Sequence, residues 1–206
     1  MKYKYNMKIY ADKTGFPLVG TREFGLFHLW PITKIQFERF ISETNNFGDK
    51  WYDSILKLNP RISWKFFDRN NYEGLFITGI THQEALSFAY WLGEGFDLPS
   101  LDEWRNFSQM LSTEGLPELP ASELSEHAAH IWRKLKGFSE TPTKFALMQD
   151  GLAEWVRKGN RYVGLGHPRQ CFHANAWDPL NDEIITFEKR ASHFGFRLIK
   201  RQANDY

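Results

Sequence analysis

Cysteine is nearly missing from this chain: Cys171 is the one cysteine in 206 residues. An intramolecular disulfide is excluded, and so is a zinc site built from several cysteines, which argues for a reducing compartment and against an oxidised secreted scaffold. Net charge is nearly missing too, since 26 Lys and Arg oppose 25 Asp and Glu. No global field would draw the protein to nucleic acid or anionic lipid, and neither is an expected partner. No apolar run reaches the roughly 18 residues of a membrane-crossing helix, and the polar start from Met1 to Lys8 is followed by no apolar stretch of signal-peptide length. The expectation is a cytoplasmic protein without a membrane partner, and a phage or virus product made in the cytoplasm would look the same. Gly164-Leu165-Gly166 lacks the third glycine and the Lys-Ser/Thr of nucleotide binders, so no phosphate loop is read.

Aromatic residues are abundant, at 17% with 8 Trp and 18 Phe. They predict a core of large flat side chains, and such rings also serve binding surfaces. Capping boxes, a Ser or Thr followed three residues later by Glu or Gln, open three apolar stripes of helical spacing. Thr33 with Gln36 precedes Phe37, Phe40 and Ile41; Thr81 with Glu84 precedes Ala85, Phe88, Ala89 and Leu92 and stops at Gly93; Ser100 with Glu103 precedes Trp104, Phe107 and Leu111. A fourth helix is predicted from about Ser122 to Lys136 on the spacing of Leu124, Ala128, Ile131 and Leu135. Strands are predicted at Phe24 to Trp30, Leu75 to Ile80, Tyr162 to Leu165 and Phe194 to Ile199. Residues 42 to 74 and 137 to 193 read as largely irregular, and no repeat or linker divides the chain. One α+β domain over residues 1–206, with its core at about 16–201, is expected.

The order of these signals resembles the formylglycine-generating enzyme family, also called the sulfatase-modifying-factor family, whose domain is a variant of the C-type-lectin fold. Trp30 to Phe40 resembles its "P-V-T-N-x-x-Y-x-x-F" helix, and Ile77 to Ala85 with Tyr90-Trp91-Leu92 resembles "P-V-x-x-V-S-W-x-x-A" and "C-x-W-L". Leu98-Pro99-Ser100-Leu101-Asp102-Glu103-Trp104 resembles "L-P-T-E-A-E-W". Leu147 to Val156 resembles "D-M-x-G-N-V-W-E-W-V", and His193 to Leu198 resembles the closing "G-F-R-L" strand. The resemblance implies a small twisted antiparallel sheet, a few helices and much irregular loop.

Oxidase members of that family hold copper between two cysteine thiolates, the soft ligands cuprous ion prefers. Here Cys171-Phe172-His173-Ala174-Asn175 resembles "C-R-S-A-N", but Gly166 stands five residues upstream where the other cysteine belongs. The resemblance therefore implies a catalytically degenerate domain without copper. The alternative is a divergent metal-dependent oxidase using Cys171 with His167 or His173, although their spacing matches no standard site and a cysteine packed as a small hydrophobe is the plainer expectation. His127 and His130 share a helix face without a third ligand in view. Ergothioneine-type relatives draw their iron histidines from a further domain that this chain has no room for. Glu154 matches a position near the family's structural calcium, so the expected cofactor is none or calcium; a buried hydrogen bond from loop backbone is the other role open to it. In variable proteins of diversity-generating retroelements, which the layout also resembles, the stretch before the "G-F-R" strand is the ligand face. The candidate ligand-binding residues are Phe172, His173, Asn175, Trp177, Asp178 and Asn181, within a segment from about His167 to Arg190, and the expected ligand is a protein or glycan.

Overall fold

The capping boxes decide where the helices start. The computed structural model describes residues 7–21, 25–45, 48, 50, 51, 53, 55, 65, 72–114, 118–119, 122–138, 152–166, 190 and 193–201. Helix α1 (Lys34–Thr44) opens with Thr33 N–H donating to Gln36 Oε1 at 3.0 Å and closes on Asn45, whose left-handed backbone (φ 54°) lets its N–H reach Ile41 O. Helix α2 (His82–Leu92) opens with Thr81 N–H on Glu84 Oε2 at 2.8 Å and ends at Gly93. Helix α3 (Leu101–Glu114) opens with Ser100 N–H on Glu103 Oε2 at 2.6 Å and Glu103 N–H on Ser100 Oγ at 3.2 Å.

Helix α4 (Glu126–Phe138) starts later than the apolar spacing predicts. Ser125, not Ser122, is its cap: Ser125 Oγ accepts from Ala128 N–H at 3.2 Å while Ser125 N–H is drawn outward to Gly15 O at 2.9 Å. Leu124 still packs against the core from outside the helix.

Five strands form an antiparallel sheet in the order β1 (Lys8–Ala11), β2 (Pro17–Thr21), β3 (Gly25–His28), β8 (Ile199–Lys200), β4 (Phe96–Asp97). A second sheet places β5 (Ala153–Lys158) between β6 (Arg161–Gly166), antiparallel, and β7 (Phe194–Gly195), parallel. Together with the helices these make an α+β fold. The stretch Leu75 to Ile80 is not a strand. It leaves a 3₁₀ turn at Tyr72–Leu75, and Phe76 makes one isolated bridge to Thr33. Its backbone is satisfied singly rather than by a ladder, Ile77 N–H on Ile32 O and Ile80 N–H on Phe194 O. The strand predicted from Phe194 to Ile199 is split: β7 joins one sheet and β8 the other, with Phe196 to Leu198 crossing between them.

Two hairpins went unpredicted although their turns carry the usual signals. Between β1 and β2, Asp12-Lys13-Thr14-Gly15-Phe16 closes with Gly15 at φ 80°, and between β5 and β6, Gly159 at φ 57° precedes Asn160 in a two-residue turn. Strand β6 contains the strand expected at Tyr162 to Leu165, whereas β5 lies in a stretch expected to be irregular.

One aromatic core lies between the five-stranded sheet and helices α3 and α4, with Phe27 stacked on Phe107 at 4.5 Å and Trp30 on Trp132 at 6.0 Å. The other joins α1 and α2 to the stretch around β7, where Phe37, Phe88 and Phe196 meet. Gly164 makes room for this packing, because a Cβ there would fall 2.2 Å from the Phe194 ring.

The first hairpin is fastened by a buried carboxylate. Asp12 Oδ1 accepts from Thr14 N–H at 2.6 Å, Thr14 Oγ1 at 2.5 Å and Phe16 N–H at 3.1 Å; Oδ2 meets His28 Nε2 at 2.8 Å and Gln36 Nε2 at 3.2 Å. Burial alone would raise its pKa, but hydrogen bonding and charge from His28, with the Thr14 and Phe16 bonds, outweigh burial and hold it below the ordinary 3.8. A carboxyl depressed on folding stabilises the fold above its unfolded pKa and loses that contribution as pH falls through the lower, folded value. Asp12→Asn is therefore expected to cost about 2 to 4 kcal/mol at pH 7 and to flatten the decline in stability below about pH 4, measured by urea melts across pH.

Candidate functional site

The candidate binding segment is rooted at one end of the three-stranded sheet. Ala153, the first residue of β5, pairs with Gly166 on one side and Phe194 on the other, so the chain leaves the sheet at Gly166 and rejoins it beside the same residue. His167, Cys171, Phe172, His173, Asn175, Trp177, Asp178 and Asn181 lie outside the described residues. What the structure supplies is the ground on which their segment stands.

Glu154, next along β5, is buried and bound on both oxygens. Arg197 Nε and Nη2 donate to Oε2 and Oε1, each at 2.6 Å, and Trp104 Nε1 adds a bond to Oε2 at 3.1 Å. Both side chains of the ion pair are 1% exposed, and Arg197 also donates to Leu29 O at 3.2 Å. Among the described residues the bonds to the Glu154 carboxylate come from a guanidinium and an indole, not from the loop backbone that was the second role left open for it. A calcium ion at these oxygens would have to compete with that guanidinium.

Along the three-stranded sheet stand buried and half-buried rings. His82, the first residue of α2, stacks on Tyr162 at 4.3 Å and meets Trp155 edge-on at 5.7 Å; Trp155 in turn contacts Phe194 at 4.3 Å, and Phe194 contacts His193 at 5.0 Å. Trp155 Nε1 is fixed by Ile80 O at 2.6 Å. Burial lowers the pKa of His82 below the ordinary 6.5, favouring the neutral imidazole, as does its place at a helix N-terminus. Such a row offers flat contact area and ring nitrogens rather than a nucleophile held by a base.

A second polar junction lies beside the rings. Arg190 closes a fork on Glu84, Nη1 to Oε2 at 2.8 Å and Nη2 to Oε1 at 2.5 Å, and Nη1 also donates to Gly79 O. Trp51 Nε1 donates to Glu84 Oε1 at 2.9 Å, and the guanidinium lies over the Trp51 ring at 5.6 Å. Sequence reasoning placed Glu84 in a capping box and missed its second use, because nothing local in the chain marks Arg190 or Trp51 as its partner.

His127 and His130 do lie on one helix, α4, and both are half-buried. Among the described residues no group of three or more His, Cys, Asp or Glu comes together as a metal site, and no helix is long and apolar enough to cross a membrane. Comparison with protein-family models and with curated proteins returned no match.

The Glu154–Arg197 pair yields a direct test. Glu154→Gln and Arg197→Met each strand a buried partner and are expected to cost about 3 to 5 kcal/mol in guanidinium melts. Breaking the exposed Arg39–Glu43 pair, as a control, should leave the melts nearly unchanged.

Proposed function

We propose that this protein is a catalytically degenerate relative of the formylglycine-generating enzymes, with a C-type-lectin-like domain that binds a protein or glycan through the segment from about His167 to Arg190. The observation that carries the reading is where the separate motifs meet. Trp104 from the stretch resembling "L-P-T-E-A-E-W", Glu154 from that resembling "W-E-W", and Arg197 from "G-F-R-L" converge on one buried ion pair. Residues 50 and 43 positions apart share that contact, so motifs similar to the family's in order also act together in space.

Catalysis by the family's copper chemistry requires two thiolates, and this chain has Cys171 alone. Binding requires less: a rigid frame, and a segment carrying rings with amide and carboxylate groups, which Phe172, His173, Asn175, Trp177, Asp178 and Asn181 provide by composition. The half-buried His193 adds ring surface where that segment rejoins the sheet, and His82 and Tyr162 stack further along it, toward the β5–β6 turn. The cofactor in this reading is none or calcium.

Elemental analysis of protein produced with copper, iron, zinc and calcium available, with and without Cys171→Ala, tests the choice. Calcium alone or no metal is expected, together with weakened retention on a glycan or protein array when Phe172 and Trp177 are both changed to Ala. Stoichiometric copper or iron that disappears with Cys171 would instead establish the oxidase using Cys171 with His167 or His173.

A further inference from the structure

Arg39, Arg190, Arg197 and Arg201 are each bound by a carboxylate. Arg157 and Arg161 are not: both are exposed, and among the described residues neither side chain has an ion-pair or hydrogen-bond partner. Asp102 lies two residues beyond Ser100, whose backbone bridges to Arg157, yet no ion pair joins it to that arginine. The two arginines stand at the crown of the β5–β6 hairpin, in a run from Trp155 to Gly166 that contains no Asp or Glu. Alternation along the paired strands places Arg157 on the face that carries Trp155 and Tyr162, and Lys158 with Arg161 on the opposite face, which carries Val156 and Val163. Lys158 and Arg161 are directly opposite each other in the ladder, a like-charge pairing that works against the hairpin rather than for it. Gly159 and Asn160 between them are exposed, and a Cβ added at Gly159 would meet nothing within 4 Å, so among the described residues the way across the crown is open.

We propose that this crown is a binding surface for a sulfated glycan, with Arg157 and Arg161 as the residues that hold its anionic groups. The two arginines lie on opposite faces of the hairpin, so one compact oxyanion does not engage both, whereas a linear chain bearing anions at intervals reaches both by crossing the turn. Sulfate oxygens suit the planar guanidinium fork, and Lys158 adds a third cation beside Arg161. The neighbouring ring favours a glycan over a nucleic acid. Stacking of bases needs an open aromatic face, and Tyr162, across the ladder from Arg157, is half-buried with its ring stacked on His82 at 4.3 Å. The crown lies about 17 Å along the strands from Ala153 and Gly166, at the other end of the hairpin. It is therefore a surface separate from the segment that begins at His167, and it stands whether or not that segment binds a ligand.

Fluorescence anisotropy of labelled heparin, titrated with the full chain over a series of salt concentrations, tests the surface. Wild type is expected to bind with an affinity that falls as salt rises. Arg157→Gln and Arg161→Gln should each weaken binding roughly fivefold, and the double variant should lower the slope of log affinity against log salt by about two. Arg161→Glu should weaken binding further while its thermal melt stays at or above that of wild type, because it sets a carboxylate opposite Lys158. The joint change Arg133→Gln and Lys136→Gln on α4 removes the same charge from two exposed positions, and should leave heparin binding within about twofold of wild type. Absence of heparin binding by wild type, an equal loss in the α4 control, or tighter binding of single-stranded DNA of matched charge would overturn the proposal. The array experiment on Phe172 and Trp177 reads the other surface, so failure of one reading is distinct from failure of the other.

Discussion

Glu154 and Arg197 are two charges taken out of water at the point where the chain passes from one sheet to the other. Such a transfer costs several kcal/mol per ion, and mutual attraction offsets that cost only with good geometry and further bonds. Here the fork is bidentate, the indole of Trp104 supplies another donor, and Leu29 O accepts a remaining guanidinium N–H. The net stabilisation from such a pair is small or absent compared with apolar packing. Its consequence is selection: an arrangement of the closing segment that separates the two leaves both charges unsatisfied. Arg197 lies where the chain crosses from β7 in one sheet to β8 in the other, so that one pair fixes the relation between the sheets.

The same device recurs at lower burial. Arg190 binds Glu84, the capping residue of α2, and Arg201 binds Glu103, the capping residue of α3, together with Asp97. Three arginines of the C-terminal stretch thus dock on carboxylates of α2, α3, β4 and β5, and two of those carboxylates already serve helix starts. In α1 the corresponding residue is Gln36, and its amide donates to Asp12 and Thr14 of the first hairpin. Each capping box is therefore also a tertiary joint, which ties the local decision to start a helix to the global decision of what lies next to it.

That coupling explains what could be read in the chain and what could not. A capping box is a signal four residues long, so Thr33, Thr81 and Ser100 revealed the starts of α1, α2 and α3. The start of α4 was missed because apolar spacing continues back to Leu124, while the deciding bond, Ser125 N–H to Gly15 O, joins distant parts of the chain. Leu75 to Ile80 carries strand-forming residues, yet strand formation needs a neighbour with a free edge, and the chain before α1 and β7 offer it only isolated carbonyls. Of the candidate site, Glu154 could be singled out through resemblance but its partner could not, since ion pairing over 43 residues leaves no periodicity. The residues from His167 to Asn181 lie outside the described ones, and their assignment still rests on residue type and order.

A binding module has to reconcile a face free to differ in sequence with a frame that does not shift when it does. In this chain the frame's fastening residues, Glu84, Glu103, Glu154, Arg190, Arg197 and Arg201, all lie outside the stretch from Phe172 to Asn181 proposed to meet the ligand. Among the described residues, Phe27 on Phe107 and Phe37 on Phe88 bury their rings against residues of the two sheets and four helices. Under the proposed binding reading, that division lets the ligand-facing stretch and the fastening residues be altered separately, as recognition by a variable segment on a fixed frame requires.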